Sequence, residues 1–228
     1  MTPSATGVDG VAQYTYRWIS NPNLDLMTPE GTFVRAVRES IDRASFGEGL
    51  GISAIEDAAY PGFMRAFNNV IDPEVVGGNA RKDLPRLGTL YYEVVRFQRD
   101  GEQYTVGLCT YGSRLATRTW DGYTTPGARS PSNSALIFSF GPNASLAPDQ
   151  QIAPLEMQRG PENAPVDDVF GTWIMTSIKI LGANVDLPEC AGKLAPGTPQ
   201  GLPDDYFVSP EPPPVLPPVP GWPDADNG

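Results

Sequence analysis

Arginine and aromatic residues suited to ligand recognition are concentrated in one connection, which runs from Thr110 to Asn133. Aromatic faces beside guanidinium groups can bind a sugar ring, a peptide or an anionic group through stacking, cation–π contacts and forked hydrogen bonds. The connection is longer than a simple link between two elements needs to be. Two interpretations stand: a binding surface, or packing of Trp120 into the end of the core with its indole N–H bonded to backbone, which is the more usual role of a tryptophan. The candidate binding residues are Arg114, Arg118, Trp120, Tyr123 and Arg129.

Carboxylates offer a second chemistry, because two acids with separated pKa values can run glycoside hydrolysis without any other titrating group. Glu56 and Asp57 form an adjacent pair, and Glu93 falls within a predicted strand. Adjacent acids usually face solvent, and a glutamate in an antiparallel sheet usually lies on the wet face. An enzyme that uses carboxylates is therefore the alternative hypothesis, and no residue is assigned a catalytic role.

The composition excludes several classes of function. The chain has 228 residues, no histidine and a formal net charge of -11. Without imidazole, Ser-His-Asp catalysis, Cys-His catalysis and histidine metal ligands are impossible, and two cysteines cannot form a four-thiolate zinc site or an iron–sulfur cluster. The acidic balance disfavours nucleic acid phosphates as partners. We predict no metal, no cofactor and no nucleic-acid partner.

The two cysteines, Cys109 and Cys190, are far apart in sequence and form no CxxC motif. If they pair, the disulfide closes a loop of roughly 80 residues and contributes about 4 kcal/mol in the chain-entropy model. Two separate buried thiols are the alternative. Two cysteines in a chain rich in Pro, Gly and Tyr are typical of an exported protein, so we predict the disulfide and expect a secreted or cell-envelope protein whose signal or lipid-anchored segment is replaced by Met1. No apolar run is long enough for a transmembrane segment.

The end of the chain is acidic and rich in proline. Residues 204–228 contain five acidic residues and no basic one, and residues 209–220 contain so many prolines that extended polyproline II is favoured over helix or sheet. This predicts a semi-rigid linker or tail, with a docking strand for a partner as the alternative. Trp222 is unusual in a disordered tail and predicts docking on the body or on a partner. The candidate docking residues of the tail are Pro212, Pro213, Pro214 and Trp222.

Two helices are predicted near the start of the body. Thr28-Pro29-Glu30 supplies an N-cap hydroxyl, a proline at the first helical position and an acid in the first turn, so a helix is expected over residues 29–45. A shorter helix is expected over residues 61–70. The first helix is amphipathic, with one face for the core and one for solvent. The core face carries Phe33, Val34, Val37, Ile41 and Ala44, and the other face carries Arg35, Arg38, Glu39, Asp42 and Arg43.

Strands follow the helices. Residues 90–99 and 103–111 are rich in Tyr, Val and Phe, and Asp100-Gly101 between them predicts a tight hairpin in which both central turn residues have positive φ. Further strands are expected over residues 134–140, 151–158 and 170–181, the second of them weakened by Pro154.

This order predicts an α+β fold: N-terminal helices packed on a curved, mainly antiparallel β-sheet, followed by a Pro-rich extended tail. The predicted organisation is a loose N-terminal extension over residues 1–27, a single α+β domain over 28–203, and the acidic tail over 204–228.

Three stretches resemble actinobacterial, mycobacterial-type exported proteins of unknown function: residues 21–36, residues 169–173, and residues 187–190 ahead of 196–199. The resemblance covers residues 14–203 and implies cell-envelope residence without an established chemistry. The order of helices and strands is also similar to the cone-shaped nuclear-transport-factor-2-like fold, which hosts both enzymes and binding domains.

Three hypotheses follow. The first is a non-enzymatic binding or accessory protein of the cell envelope, whose partner is a protein or an envelope glycan or lipid. The second is a small-ligand or carbohydrate-processing enzyme with carboxylates in a cone-shaped pocket. The third is a structural assembly subunit that interacts through its tail. The oligomeric state is left open.

Overall fold

The computed structural model describes residues 13–47, 49–76, 85–128, 134–181 and 187–224. Within these ranges the chain is an α+β protein, with four α-helices and eight strands that join into one mainly antiparallel sheet. The predicted fold class is therefore confirmed. The helices are α1 (Pro29–Phe46), α2 (Gly51–Ala58), α3 (Phe63–Phe67) and α4 (Pro73–Val76). The strands are β1 (Gln13–Ile19), β2 (Arg86–Asp100), β3 (Gln103–Tyr111), β4 (Leu115–Thr119), β5 (Gly122–Thr125), β6 (Ser134–Gly141), β7 (Ile174–Leu181) and β8 (Phe207–Ser209).

The long strand β2 organises the sheet. The strand order is β7-β6-β3-β2-β4-β5-β8, and every neighbouring pair along it is antiparallel. β1 pairs with β2 in parallel on the opposite edge, so Tyr91 faces Arg17 on one side and Tyr111 on the other. The other edge of β1 pairs with the C-terminal segment. Trp18 N donates to Val219 O at 2.7 Å, and Val219 N donates to Tyr16 O at 3.1 Å.

The segment expected to be a loose N-terminal extension thus contributes a strand. Tyr16 and Trp18 are buried in the main core, with Tyr14 packed against it. These residues alternate along the chain as an inward face of a strand requires. That period-two signal was present in the sequence.

The β2–β3 hairpin forms where the sequence predicts it, with its turn shifted by one residue. Asp100 pairs with Gln103, so the two central turn residues are Gly101 and Glu102. Of these, only Gly101 has positive φ, at 61°. Glycine adopts this conformation without the steric cost that a Cβ would bring.

Helix α1 matches the prediction closely. Thr28 Oγ1 accepts a hydrogen bond from Gly31 N at 3.2 Å, and Pro29 is the first helical residue. α3 is shorter than the helix expected over residues 61–70 and spans five residues, flanked by Gly62 and Asn68 in left-handed conformations.

Two strand predictions need correction, the first of them in full. Residues 151–158 form no strand, because Pro154 removes a donor from a segment that meets the body only through irregular contacts. β7 begins at Ile174, four residues after the expected start. The connection from Thr110 to Asn133 is no simple loop, because it contains the hairpin of β4 and β5.

Both faces of the sheet are covered. On the inner face, α1 packs Phe33, Val34 and Val37 into the main core beside Leu90 and Leu108. On the outer face, a second cluster forms under residues 187–195. Its members include Tyr91, Tyr111, Ala135, Leu187 and Ala195.

The predicted disulfide is part of this second cluster. Cys109 on β3 is bonded to Cys190, with a Cα–Cα distance of 5.2 Å, and both residues are fully buried. The bond attaches the segment after β7 to the centre of the sheet. This confirms the cysteine pairing, which indicates an oxidising environment.

The polar face of α1 is buried, contrary to the prediction that it meets solvent. Arg35, Arg38, Glu39 and Asp42 are all buried. Arg35 donates to Gln158 O and to Gly221 O, so the loop after β6 and the end of the chain cover this side of the helix. A helical pattern shows which face is apolar, and cannot show that distant segments shield the other face as well.

Candidate functional site

A cavity of about 290 Å³ lies between the C-terminal half of α1 and the inner face of the sheet. One part of its wall is polar and carries Arg38, Asp42, Arg86 and Thr110. The rest of the lining includes the apolar or aromatic side chains of Phe46, Leu90, Leu115, Pro126 and Tyr206. We call this space the α1 cavity.

Asp42 is the one carboxylate in the α1 cavity lining. Arg38 Nη2 donates to its Oδ1 at 2.6 Å, and the Tyr92 hydroxyl donates to its Oδ2. Burial raises the pKa of Asp42, and Arg38 and Tyr92 act against that rise. Asp42 and Arg38 are one helical turn apart, so α1 alone fixes their geometry.

Arg86 brings a second guanidinium to the same wall. Its Cζ lies 4.7 Å from the centre of the Phe46 ring, a cation–π contact. Burial lowers the pKa of Arg86, and the charge of Asp42 opposes that change. Two guanidinium groups therefore face one carboxylate, and the wall carries a net positive charge in a protein whose formal net charge is -11.

Two buried polar atoms of cavity-lining side chains have no hydrogen-bond partner among the described residues: Thr110 Oγ1 and Arg38 Nε. Thr110 is 4% exposed. Buried polar atoms are nearly always satisfied, and an orphan costs about 1–3 kcal/mol. Unsatisfied groups around an internal space are typical of a site that is completed by a ligand or by water.

A second buried carboxylate, Glu39, lies one turn before Asp42 on the helix and serves a different purpose. Trp18 Nε1 donates to Oε1 at 2.7 Å, and Trp222 Nε1 and the Tyr60 hydroxyl donate to Oε2 at 2.7 and 2.6 Å. Burial lowers the pKa of the neighbouring Arg35 to about 10, although Glu39 opposes this. Protein groups occupy both Glu39 oxygens, and Glu39 does not line the α1 cavity, so we assign it a structural role.

Glu39 should make stability depend on pH. Burial raises its pKa above the ordinary value of 4.5, so the folded state holds this proton more tightly than the unfolded state. The stability that the proton contributes is complete below pH 4.5 and is lost as the pH rises through the folded-state pKa. We therefore expect the difference in unfolding free energy between the wild type and Glu39→Gln to fall with rising pH. Urea denaturation at a series of pH values measures it, and a flat or rising difference contradicts the assignment.

The structure brings together three of the five predicted binding residues. Arg118 and Tyr123 are paired across β4 and β5, and Trp120 lies at the tip of the hairpin that joins these strands, 97% exposed. Packing of Trp120 into the core is thus excluded. Arg114 lies elsewhere and donates to Gly197 O. Arg129 lies outside the described residues.

The carboxylates singled out in the sequence do not form a site. Glu56 and Asp57 are exposed on α2. Partial burial acts to raise the pKa of Glu93. Hydrogen bonds that Tyr111, Asn21 and Lys193 donate to its oxygens outweigh this, and the pKa is lowered. Within the described ranges, no three acidic or cysteine side chains are arranged to hold a metal ion.

The C-terminal segment packs on the body. Trp222 is 1% exposed and belongs to the main core, which realises one of the two expectations for it. Pro212, Pro213 and Pro214 line a second cavity of about 290 Å³, together with Arg114. Tyr206 from the same segment lines the α1 cavity. No helix in the described ranges is both long enough and apolar enough to span a membrane.

Sequence reasoning missed the α1 cavity residues. Arg38 and Asp42 were assigned to a solvated helix face, and Arg86 and Thr110 were not singled out. The spacing of Arg38 and Asp42 was the available signal, because opposite charges four residues apart on a helix form a pair. Their burial depends on distant segments, and nothing local indicates it.

No family model matches the chain, no curated protein matches it, and no solved structure matches it. The interpretation of the α1 cavity therefore rests on its own geometry.

Proposed function

We propose that this protein is a non-enzymatic binding protein of the cell envelope or the extracellular space, and that it holds a small organic molecule in the α1 cavity. The observation that carries the proposal is the pair of unpartnered buried polar atoms, Thr110 Oγ1 and Arg38 Nε, which belong to side chains that line a preformed, partly open cavity. Buried polar atoms without partners cost stability, so their presence beside a cavity favours a site that a ligand completes.

The form of the α1 cavity agrees with such a role. Ligand sites are concave and mostly apolar, with a few fixed polar groups that orient the molecule. Their volumes usually lie between about 300 and 1,000 Å³, so a cavity of about 290 Å³ fits a small molecule. The disulfide supports an oxidising location.

An enzyme is the second candidate, and one observation favours it: Asp42 is an acid with a raised pKa in a cavity. Perturbed carboxyl groups cluster at catalytic sites. However, Arg38 and Tyr92 already occupy both Asp42 oxygens, and hydrolysis of glycosides requires two carboxyl groups. The lining of the α1 cavity has one, so binding is the better supported function.

The accessory role expected of the hairpin surface remains compatible with this proposal. Arg118, Trp120 and Tyr123 form a small aromatic and basic surface at the hairpin of β4 and β5, which suits contact with a protein, a glycan or a lipid. Assembly through the tail has less support, because Trp222, the aromatic residue expected to contact a partner, is buried within its own chain.

Filling the α1 cavity should abolish ligand binding. We expect small organic compounds from a mixed library of acids, amines and neutral molecules to bind the wild type in ligand-observed NMR. Leu115→Trp adds bulk at a buried wall position, and the bound signals should disappear. Leu155→Trp makes the same change at an exposed site and is the matched control.

Should Leu115→Trp fail to fold, Thr117→Phe blocks the same space from a half-buried position of the lining. The proposal is wrong if no compound binds the wild type, or if compounds bind a folded, blocked variant as well as they bind the wild type.

A further inference from the structure

We infer that the ligand of the α1 cavity is an organic monoanion: a small carboxylic acid whose carboxylate lies against Arg38, Arg86 and Thr110 and whose short apolar body lies against Leu90 and Leu115. This inference rests on the proposed function and adds the chemical class of the ligand. Each part of it comes from a separate feature of the cavity wall.

The first feature is the charge balance. Arg38 is paired with Asp42, whereas no ion pair of Arg86 is present among the described residues, and its guanidinium lies over the ring of Phe46. Arg86 therefore shares the charge of Asp42 with Arg38, and a partly buried guanidinium without an anion of its own is unfavourable. A bound monoanion would neutralise the wall, and arginine suits carboxylates because its planar donors match their two oxygens.

The second feature is the set of unsatisfied donors. Thr110 has a hydroxyl that can donate, and Arg38 Nε–H can only donate. Both belong to cavity-lining side chains and neither has a partner among the described residues. Arg38 Nε–H, the Arg86 guanidinium and the Thr110 hydroxyl can together donate to both oxygens of a ligand carboxylate. A ligand ammonium group would instead face hydrogen-bond donors and positive charge. The unsatisfied groups therefore select an acceptor.

The third feature separates an organic acid from an inorganic anion. Leu90, Leu115 and Pro126 form an apolar wall, with the half-exposed Tyr206 beside it. A phosphate dianion would exceed the single net positive charge and leave this wall in contact with water. An acid with a short hydrocarbon or aromatic body satisfies both walls at once.

A matched ligand series tests the class. We use 3-phenylpropionate, its primary amide 3-phenylpropanamide, 3-phenylpropylamine and inorganic phosphate, each titrated into the full-length protein by calorimetry or NMR. The acid should bind at least about tenfold more tightly than the amide, because hydrogen bonds to a charged acceptor are roughly twice as strong as those to a neutral one. The amine and phosphate should not compete with it.

Equal binding of acid and amide, tighter binding of the amine, or displacement of the acid by phosphate overturns the class and leaves the proposed function standing. If none of the four binds while neutral or basic compounds from the library do, the class is likewise wrong. If no compound of the library binds, the proposed function fails as well.

Two pairs of variants locate the anion. Thr110→Val removes the unpartnered hydroxyl at constant shape, so we expect affinity for 3-phenylpropionate to fall about tenfold while the melting temperature stays the same or rises. Thr32→Val is the matched control, because Thr32 is 0% exposed, also has an unpartnered Oγ1, and does not line the cavity. It should leave binding unchanged.

Arg86→Met removes the charge and should weaken binding about a hundredfold. Arg99→Met is its control, since Arg99 also lies over an aromatic ring, that of Tyr104 at 5.5 Å, away from the cavity lining. Wild-type affinity in Thr110→Val or in Arg86→Met, with the variant folded, overturns the placement of the carboxylate.

Discussion

Replacing Trp222 by alanine should lower the free energy of unfolding by about 3–5 kcal/mol, the range for truncation of a fully buried aromatic side chain. Three contacts are lost together. The indole N–H donates to Glu39 Oε2 at 2.7 Å, Arg35 Cζ lies 4.1 Å from the ring centre, and the Tyr60 ring lies against it at 5.5 Å. Because this hydrogen bond goes to a buried carboxylate, its loss adds to the destabilisation caused by the cavity.

Urea or thermal denaturation measures this effect, and Trp120→Ala is the matched control. Trp120 is 97% exposed, so its removal should change stability by less than about 0.5 kcal/mol. Trp222→Phe keeps most of the ring and loses the N–H, and should lie between the two. Equal stabilities of the two alanine variants would show that the C-terminal segment contributes nothing to the body.

The second large effect concerns the disulfide. The Cys109→Ala, Cys190→Ala double variant should be less stable than the oxidised wild type by about 4 kcal/mol, because the bond closes a loop with a sequence separation of 81. Residues 187–195 would then be held on the outer face of the sheet by the small cluster around Leu187 and by polar contacts such as the Arg96–Glu189 ion pair.

Denaturation with and without a thiol reductant provides the measurement. Reduction should destabilise the wild type by a similar amount and should leave the double variant unchanged. If full reduction of the disulfide leaves the free energy of unfolding of the wild type unchanged, the disulfide does not stabilise the protein by constraining its unfolded chain.

Local signals predicted the elements that local physics determines. The N-cap at Thr28 and Pro29 gave the start of α1, and Asp100-Gly101 gave the β2–β3 hairpin to within one residue. The pairing of Cys109 with Cys190 followed from composition and compartment. In each case the residues that determine the structure are neighbours in sequence or chemically unique in the chain.

The candidate site could not be predicted in the same way. The α1 cavity joins residues from the helix, from five strands and from the C-terminal segment, and Tyr206 lies more than 160 positions from Asp42 in the sequence. Arg38 and Asp42 have the pattern of a solvated helix face. Their surroundings come from distant parts of the chain: Tyr92 of β2 donates to Asp42, and Tyr206 lines the same cavity.

The predicted binding surface shows the opposite case. Residue types alone identified Arg118, Trp120 and Tyr123, and the strand pairing of β4 with β5 brings them together. Arg114 belongs to the same connection and lies elsewhere, because it is in the turn at Ser113 and Arg114 that precedes β4. Proximity in sequence does not determine which side chains share a surface.

The strand nearest the start of the described chain is held on its free side by Val219. The hydrogen bonds at Tyr16 and Trp18 therefore form only once Val219 has been synthesised. Until then that β-edge is open to pairing with another chain, and so non-local a contact is expected to form late in folding.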